Sequence, residues 1–353
     1  MHKFNYSFLK TGLLPAELVN VTSSIASLKT MSEYRKTDYR QVFTELEKIA
    51  KVQSVKSSNA IEGIVTTDER IHQIVNQNSS PLNHNEAEIA GYRDVLSSVH
   101  QHYAEIDFTE QNILILHRDL FALADYGSAG RYKIEDNLIL ETNADGINQV
   151  RFRPVSAADT KAAMEQLILA YTAANNDVNI NKLLLIPCVI LDFLCIHPFR
   201  DGNGRMSRLL SLLLLYRSGY DVGRYVSFEE RINEYKSWYY KALHDSSAEW
   251  HNSQNDYFPF IQHFLSTLYQ CYTELDKRFA VVNSRKVTKA QRIEATVLNS
   301  LLPISKADVC HILPDISPTT VEAVLGQMVK NGIVTTVGAG RATKYVKVNE
   351  HNI

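Results

Sequence analysis

The sequence predicts a mainly α-helical protein in which one β-hairpin interrupts the helices and a small mixed domain follows them. Apolar residues recur at helical spacing over most of the first 330 positions. Strand-favouring runs are confined to residues 132–155 and 333–348. With 353 residues, 45% hydrophobic and 22% charged, the chain has the size and balance of a globular protein of two or three domains.

Element by element, the first 30 residues are weakly periodic and read as a packed arm. Residues 40–55 and 86–103 read as amphipathic helices. Residues 109–124 form the next, with Thr109 as N-cap, and residues 157–174 another, capped by Ser156. Between them, residues 132–140 and 147–155 favour strands. The intervening segment, Glu141 to Gly146, ends in Asp145-Gly146, a strong hairpin signal. Apolar helices follow at 183–196 and 209–216, then a long one at 258–280. Composition shifts near Asn283-Ser284-Arg285-Lys286. Beyond it come helices at 291–302, 305–313 and 317–331, then strands at 333–337 and 344–348 around Gly338-Ala339-Gly340. Three helices and a two-stranded wing make the winged-helix pattern. The expected division is 1–100, 101–282 and 283–353.

A net charge of −2 gives no global pull toward nucleic acid or anionic membrane. No apolar run reaches the roughly 18 residues of a membrane span, and the N-terminus lacks a signal-peptide core, so a cytoplasmic protein is expected. Cys188, Cys195, Cys271 and Cys310 are scattered, which favours buried free thiols over disulfides or zinc. From Arg285 onward nine Lys/Arg face five Asp/Glu. That excess suits DNA, but the second helix of the turn-helix pair carries only Lys330 as a base, which favours dimerisation or target docking.

The chemistry is concentrated in His197-Pro198-Phe199-Arg200-Asp201-Gly202-Asn203-Gly204-Arg205-Met206-Ser207-Arg208. A Gly-Asn-Gly turn opening a helix leaves backbone N–H groups aimed at one point, an anion site at the positive end of the helix dipole. Arg205 and Arg208, three apart, share a helix face and can reach an extended phosphate chain. Asp201 offers a hard oxygen to magnesium, and His197 accepts a proton near neutral pH. Together these parts fit a phosphoryl or nucleotidyl transferase.

The run resembles the signature His-x-Phe-x-(Asp/Glu)-Gly-Asn-Gly-Arg-x-x-Arg of Fic-domain proteins at every fixed position, and the resemblance extends over roughly residues 40–265. It implies a Fic helical bundle and transfer of AMP from ATP to a Ser, Thr or Tyr hydroxyl of a target protein, with magnesium and release of pyrophosphate. It gives His197 the role of base and Asp201 that of metal ligand. Gly202, Asn203 and Gly204 become the phosphate cradle, with the Asn203 side chain as a further donor. Arg205 and Arg208 hold the β- and γ-phosphates, Tyr240 contacts the base, and Phe199 anchors the loop. The hairpin becomes a flap, residues 130–154, that aligns the target by β-augmentation. Family flaps often carry Arg where this chain has Lys133, and Pro-Pro where it has Arg153-Pro154, so target choice stays open.

Upstream, Ser57-Ser58-Asn59-Ala60-Ile61-Glu62-Gly63 contains Ser58 and Glu62 at i and i+4, on one helix face. Alone this pattern is common in solvated helices. It is similar to the inhibitory motif (Ser/Thr)-x-x-x-Glu-(Gly/Asn) of many Fic proteins, which implies that Glu62 pairs with Arg208 where the γ-phosphate belongs. Other readings are removal of AMP, transfer of another phosphate-containing group, or a nucleotide-sensing DNA-binding regulator. Self-modification and a homodimer are further expectations.

Overall fold

The computed structural model describes residues 2–142, 148–283, 288–298, 300, 303–340 and 343–348. The proposed hairpin turn at Asn143–Gly146 and the linker residues Ser284-Arg285-Lys286 lie outside the described residues, as does Leu302.

The chain begins with α1 (Phe8–Thr11), α2 (Ala16–Asp38), α3 (Arg40–Ile61), α4 (Asp68–Gln77), α5 (His84–His102) and α6 (Glu110–Leu120). The hairpin strands β1 (Ile139–Thr142) and β2 (Asn148–Phe152) follow. Next come α7 (Thr160–Asn176), α8 (Lys182–Ile196), α9 (Asn203–Arg217), α10 (Phe228–Glu234), α11 (Lys236–Ser247) and α12 (Phe258–Asn283). The C-terminal part contains α13 (Lys289–Leu298), β3 (Ile304–Ser305), α14 (Lys306–Ile312), α15 (Pro318–Lys330), β4 (Val334–Val337) and β5 (Lys344–Lys347). The protein is therefore mainly helical, with two small antiparallel sheets. No helix among the described residues is long and apolar enough to cross a membrane.

Helix α8 is the axis of the main core. Apolar residues surround it on every side, from Leu183 to Ile196, so it must be enclosed by other helices. It packs against α7, α9 and α12. Asn83, Thr109, Asn181 and Ser227 each accept a backbone N–H and so start α5, α6, α8 and α10. Helices α5 and α6 cross closely at Gly91, where a Cβ would collide with the Leu120 carbonyl. A separate core joins Ile293, Val297, Val309, Leu313, Val321, Leu325, Met328 and Val334 in the C-terminal part. Its sheet runs in the order β3-β5-β4, so a two-residue strand joins the expected hairpin.

Several expected limits change. Much of the expected N-terminal arm is α2, a 23-residue helix whose turns pack along α12. Only the first residues form an arm: His2 stacks on Trp250 at 4.1 Å, and the Tyr6 hydroxyl donates to the buried Asp192 at 2.7 Å. Helix α3 continues to Ile61, and helix α7 starts at Thr160 with Asp159, not Ser156, at the cap. Residues 132–138 are not strand, because Lys133 and Asn137 bond the loop after α8 instead of a β partner.

Candidate active site

The loop joining α8 to α9 is held by contacts on three sides. His197 ends α8 in the left-handed region (φ 52°), with its N–H donating to Phe193 O at 2.9 Å. Phe199 is fully buried, and its ring stacks on His117 of α6 with centroids 3.7 Å apart. The Gly130 N–H donates to His117 Nδ1 at 2.9 Å, so the ring proton sits on Nε2 and reaches the Asp201 carbonyl at 3.0 Å. Burial, with Arg205 alongside, lowers the His117 pKa to about 4, although its bond to Asp201 opposes the shift. The ring is therefore neutral. Asn203 then closes the loop: its Oδ1 accepts from Phe199 N–H at 2.9 Å and its Nδ2 donates to Phe199 O at 2.8 Å. Gly202 precedes α9 at φ 79°, and a Cβ there would lie 2.9 Å from the Phe121 ring. The first N–H groups of α9 thus open outward from a rigid turn, without intrahelical partners.

Beside this turn lies a cleft of about 450 Å³. Its lining combines the polar His197, Gly204, Arg208 and Glu62 with the apolar Leu191, Leu194, Leu243 and Phe152. The His197 Nδ1 lies 3.3 Å from the Leu194 carbonyl, which can only accept, so Nδ1 carries the proton and Nε2 keeps its lone pair. Burial, reinforced by the Lys133 charge, lowers the His197 pKa to about 4. It is a neutral base at physiological pH.

Arg208 is almost completely buried. Its Nε donates to Ser58 Oγ at 2.8 Å, and its Nη2 donates to Ser58 O at 2.9 Å and to Glu62 Oε1 at 2.7 Å. Glu62 is the C-cap of α3 rather than a residue of its last turn, yet it and Ser58 still reach one guanidinium. Burial pushes the Glu62 carboxyl up, but Arg208, with Arg205 and Lys236, outweighs it, and the net displacement is downward. A Cβ on Gly204 would collide with Glu62 Oε1, so the carboxylate rests directly on the cradle turn.

The other expected residues divide. Tyr240 lines the cleft, with the Arg151 guanidinium 5.8 Å and the Lys236 ammonium 5.9 Å from its ring centre. Arg205 does not line it: it is buried against Glu88 at 2.6 Å and over the Phe121 ring at 5.0 Å. Arg205 and Arg208, expected to reach one ligand together, are thus separated, since α9 is enclosed and each arginine follows a different acid, Arg205 the buried Glu88 and Arg208 the partly exposed Glu62. Asp201 sits at the loop edge, its side chain 60% exposed and 3.7 Å from Arg205. The Asn203 side chain, expected as a phosphate donor, is instead occupied by the Phe199 backbone. The four cysteines are free, three of them buried.

Sequence reasoning missed His117, which lies 80 positions before the loop it braces. Lys133, singled out only as a flap residue, has its ammonium at 3.2 Å from the Ile196 carbonyl and 2.8 Å from Asn137 Oδ1. Burial lowers the Lys133 pKa to about 8. The sequence marked Lys133 as standing where family flaps often carry Arg, and gave no sign of its contact with the end of α8.

Comparison with known proteins places this geometry. Residues 107–215 match the Fic/DOC family. The chain carries a Fic domain. Over 111 residues it is 32% identical to protein adenylyltransferase fic-1 of Caenorhabditis elegans, a match covering 31% of this chain and 19% of that protein. The chain thus matches about a fifth of the curated relative's length. A Fic family protein from Desulfovibrio desulfuricans has the same fold with TM-score 0.62 and 20% identity, over 97% of this chain and 98% of that one. A Fic-domain signaling protein from Bacteroides thetaiotaomicron gives TM-score 0.58 and 24% identity, over 74% of this chain and 96% of that one. A fragment of Fic-1 from C. elegans gives 0.54 and 19%, over 73% and 71%.

Proposed function

We propose that this Fic-domain protein is an autoinhibited protein adenylyltransferase that moves AMP from ATP to a hydroxyl of a target protein. One observation carries the reading: a neutral histidine and a buried arginine face one cleft, and a carboxylate occupies the place between arginine and anion cradle. The similarity to an adenylyltransferase supports the donor.

The apolar part of the cleft lining takes the adenine, with Tyr240 beside it. The open N–H groups at the start of α9 receive the phosphates, with Gly202, Asn203 and Gly204 contributing backbone alone. The target hydroxyl approaches along the flap. Nε2 of His197 takes its proton as the oxygen attacks the α-phosphorus, and pyrophosphate leaves. Arg208 holds the γ-phosphate with the guanidinium edge that now bonds Glu62. Arg205, pinned by Glu88, supports the cradle from behind.

Asp201 fits a magnesium ligand: an exposed carboxylate at the cradle edge supplies the one protein oxygen that a phosphate-bound ion needs. Among the described residues no group of three His, Cys, Asp or Glu could hold a metal by itself. Bound there, magnesium neutralises charge on the phosphates.

With Glu62 on Arg208, the γ-phosphate has no seat and the α-phosphorus is not presented in line. Positioning dominates phosphoryl-transfer catalysis, so the misplacement suppresses transfer. The C-terminal elements are read as a winged helix used for protein contact, since Lys330 ends α15 and no other base lies on that helix. The test is incubation of wild type, Glu62→Gly and His197→Ala with magnesium and α-labelled ATP, with and without cell lysate. Label on protein with Glu62→Gly, weak with wild type and absent with His197→Ala, supports the reading. No label from any variant that binds ATP overturns it.

A further inference from the structure

His197 stands where α8 ends, in a left-handed conformation (φ 52°) that a residue with a side chain adopts only when its surroundings hold it there. Beyond it the loop is fixed by Asn203, which bonds both polar groups of Phe199. Before it, α8 supplies Phe193 O to the His197 N–H. The carbonyls of the residues on either side of His197 are answered by one residue, Lys133, in the flap segment ahead of β1. Its ammonium donates to Ile196 O at 3.2 Å, and its backbone N–H donates to Pro198 O at 2.9 Å. Asn137 extends the clasp: its Oδ1 accepts from the ammonium at 2.8 Å, and its Nδ2 donates to Phe199 O at 3.1 Å.

An ammonium at the C-terminus of a helix meets the negative end of the dipole and satisfies a carbonyl left open by the helix; that much serves stability alone. Two features go beyond it. Lys133 is 5% exposed, and burial lowers its pKa to about 8, a cost that a cap in solvent would avoid. Its two bonds also straddle the base. Each peptide unit is planar, so fixing the carbonyls of Ile196 and Pro198 fixes the planes that enter and leave the His197–Pro198 step. The hold on the ring itself is weak: Nδ1 lies 3.3 Å from Leu194 O, long for an N–H to carbonyl bond. The direction of Nε2 therefore follows from the backbone that Lys133 clasps.

We propose that Lys133 is a positioning residue for His197, clasping the backbone on both sides of the base so that Nε2 meets the target hydroxyl, with Asn137 setting the ammonium in place. The inference rests on the reading of His197 as the base. Neither Lys133 nor Asn137 is among the residues lining the cleft, so the clasp acts through His197 and leaves the nucleotide seat alone.

The test uses the Glu62→Gly protein and reads two quantities: the initial rate of α-label transfer at saturating ATP, and ATP affinity by calorimetry. Lys133→Met, Lys133→Arg and His197→Ala are added singly. Lys133→Met keeps the length of the side chain and loses its donors. It lowers the rate at least about tenfold, the size of one hydrogen bond from a charged group, and leaves ATP affinity within about twofold. Lys133→Arg, which donates to the same carbonyl, restores the rate to within about threefold of the parent. If Lys133→Met fails to fold, Asn137→Ala carries the test: it frees the ammonium, slows transfer about threefold and leaves ATP affinity unchanged. An unchanged rate in the variant that carries the test overturns the proposal, as does loss of rate and ATP affinity in parallel, or a Lys133→Arg protein no faster than Lys133→Met. No transfer in the parent, or transfer that survives His197→Ala, overturns the functional reading and this inference with it.

Discussion

Replacing Glu62 by glycine should release the cleft, and the size of the effect follows from the contact it removes. Glu62 makes a charge-assisted bond of 2.7 Å to Arg208, whose side chain is 2% exposed while that of Glu62 is 32% exposed. A hydrogen bond between ionised partners contributes about 1.5–3 kcal/mol, and the partial exposure of the carboxylate keeps it within that range rather than above it. At about 1.4 kcal/mol per factor of ten, the closed arrangement is favoured by roughly 10–150-fold. Initial rates of labelling at saturating ATP should rise by that factor in Glu62→Gly. The same change strands a buried guanidinium, so the variant should unfold at lower temperature without nucleotide, and ATP should restore the loss. Rates and melting curves with and without ATP check both halves. Equal rates for wild type and Glu62→Gly, with ATP bound equally well, refute the reasoning.

The His197 pKa, about 4 with the Glu62 charge raising it, puts the acid limb of the pH–rate profile at or below about 4 in that variant. A base depressed below its ordinary value is active above its folded pKa, so the rate should stay flat from pH 8 down to about 5 and fall below; a midpoint between 6 and 7 contradicts this. His117→Ala removes two hydrogen bonds and the stacking on Phe199, and should cost about 3–5 kcal/mol in denaturant unfolding together with most of the activity. Gly202→Ala places a side chain at φ 79° against Phe121, and should cost at least about 1–2 kcal/mol by the same measurement. Asp192, buried among Tyr6, Trp250 and Tyr257, has its pKa raised to about 7 by burial, against the pull of those hydrogen bonds. The native state then holds a proton that the unfolded chain releases near pH 4, so the Asp192 contribution is full below about pH 4 and lost toward pH 7, opposing the rise that the buried neutral His117 and His197 give over about pH 4 to 6.5. Asp192→Asn removes that contribution, so in urea titrations at several pH values the stability of the variant relative to wild type should rise between about pH 4 and 7; no change in this difference contradicts the assignment.

The sequence made legible what is local. The twelve-residue run from His197 to Arg208 carries its chemistry in order, and Thr109 is a cap because its hydroxyl meets Asn112 N–H three residues on. The pairing of Glu62 with Arg208 lies 146 positions apart, and only the family resemblance brought it into view. Tertiary packing decided the rest. Arg205 has the same spacing logic as Arg208, yet a buried Glu88 on α5 holds it away from the cleft. Asn203 looks like a ligand donor until the loop closes and its amide meets both polar groups of Phe199. Strand periodicity over 132–140 overreached because Lys133 and Asn137 serve the end of α8 and the loop after it. The helix α2 was hidden by weak amphipathicity, and His117 has no local sequence signal that separates it from an ordinary helix residue.

The most direct measurement gives the Glu62→Gly protein ATP labelled at the α-phosphate in one reaction and at the γ-phosphate in another, each with magnesium and lysate. Protein label is expected from the α-position alone, and is lost on adding His197→Ala. Label from the γ-position, or none from either while ATP is bound, contradicts it.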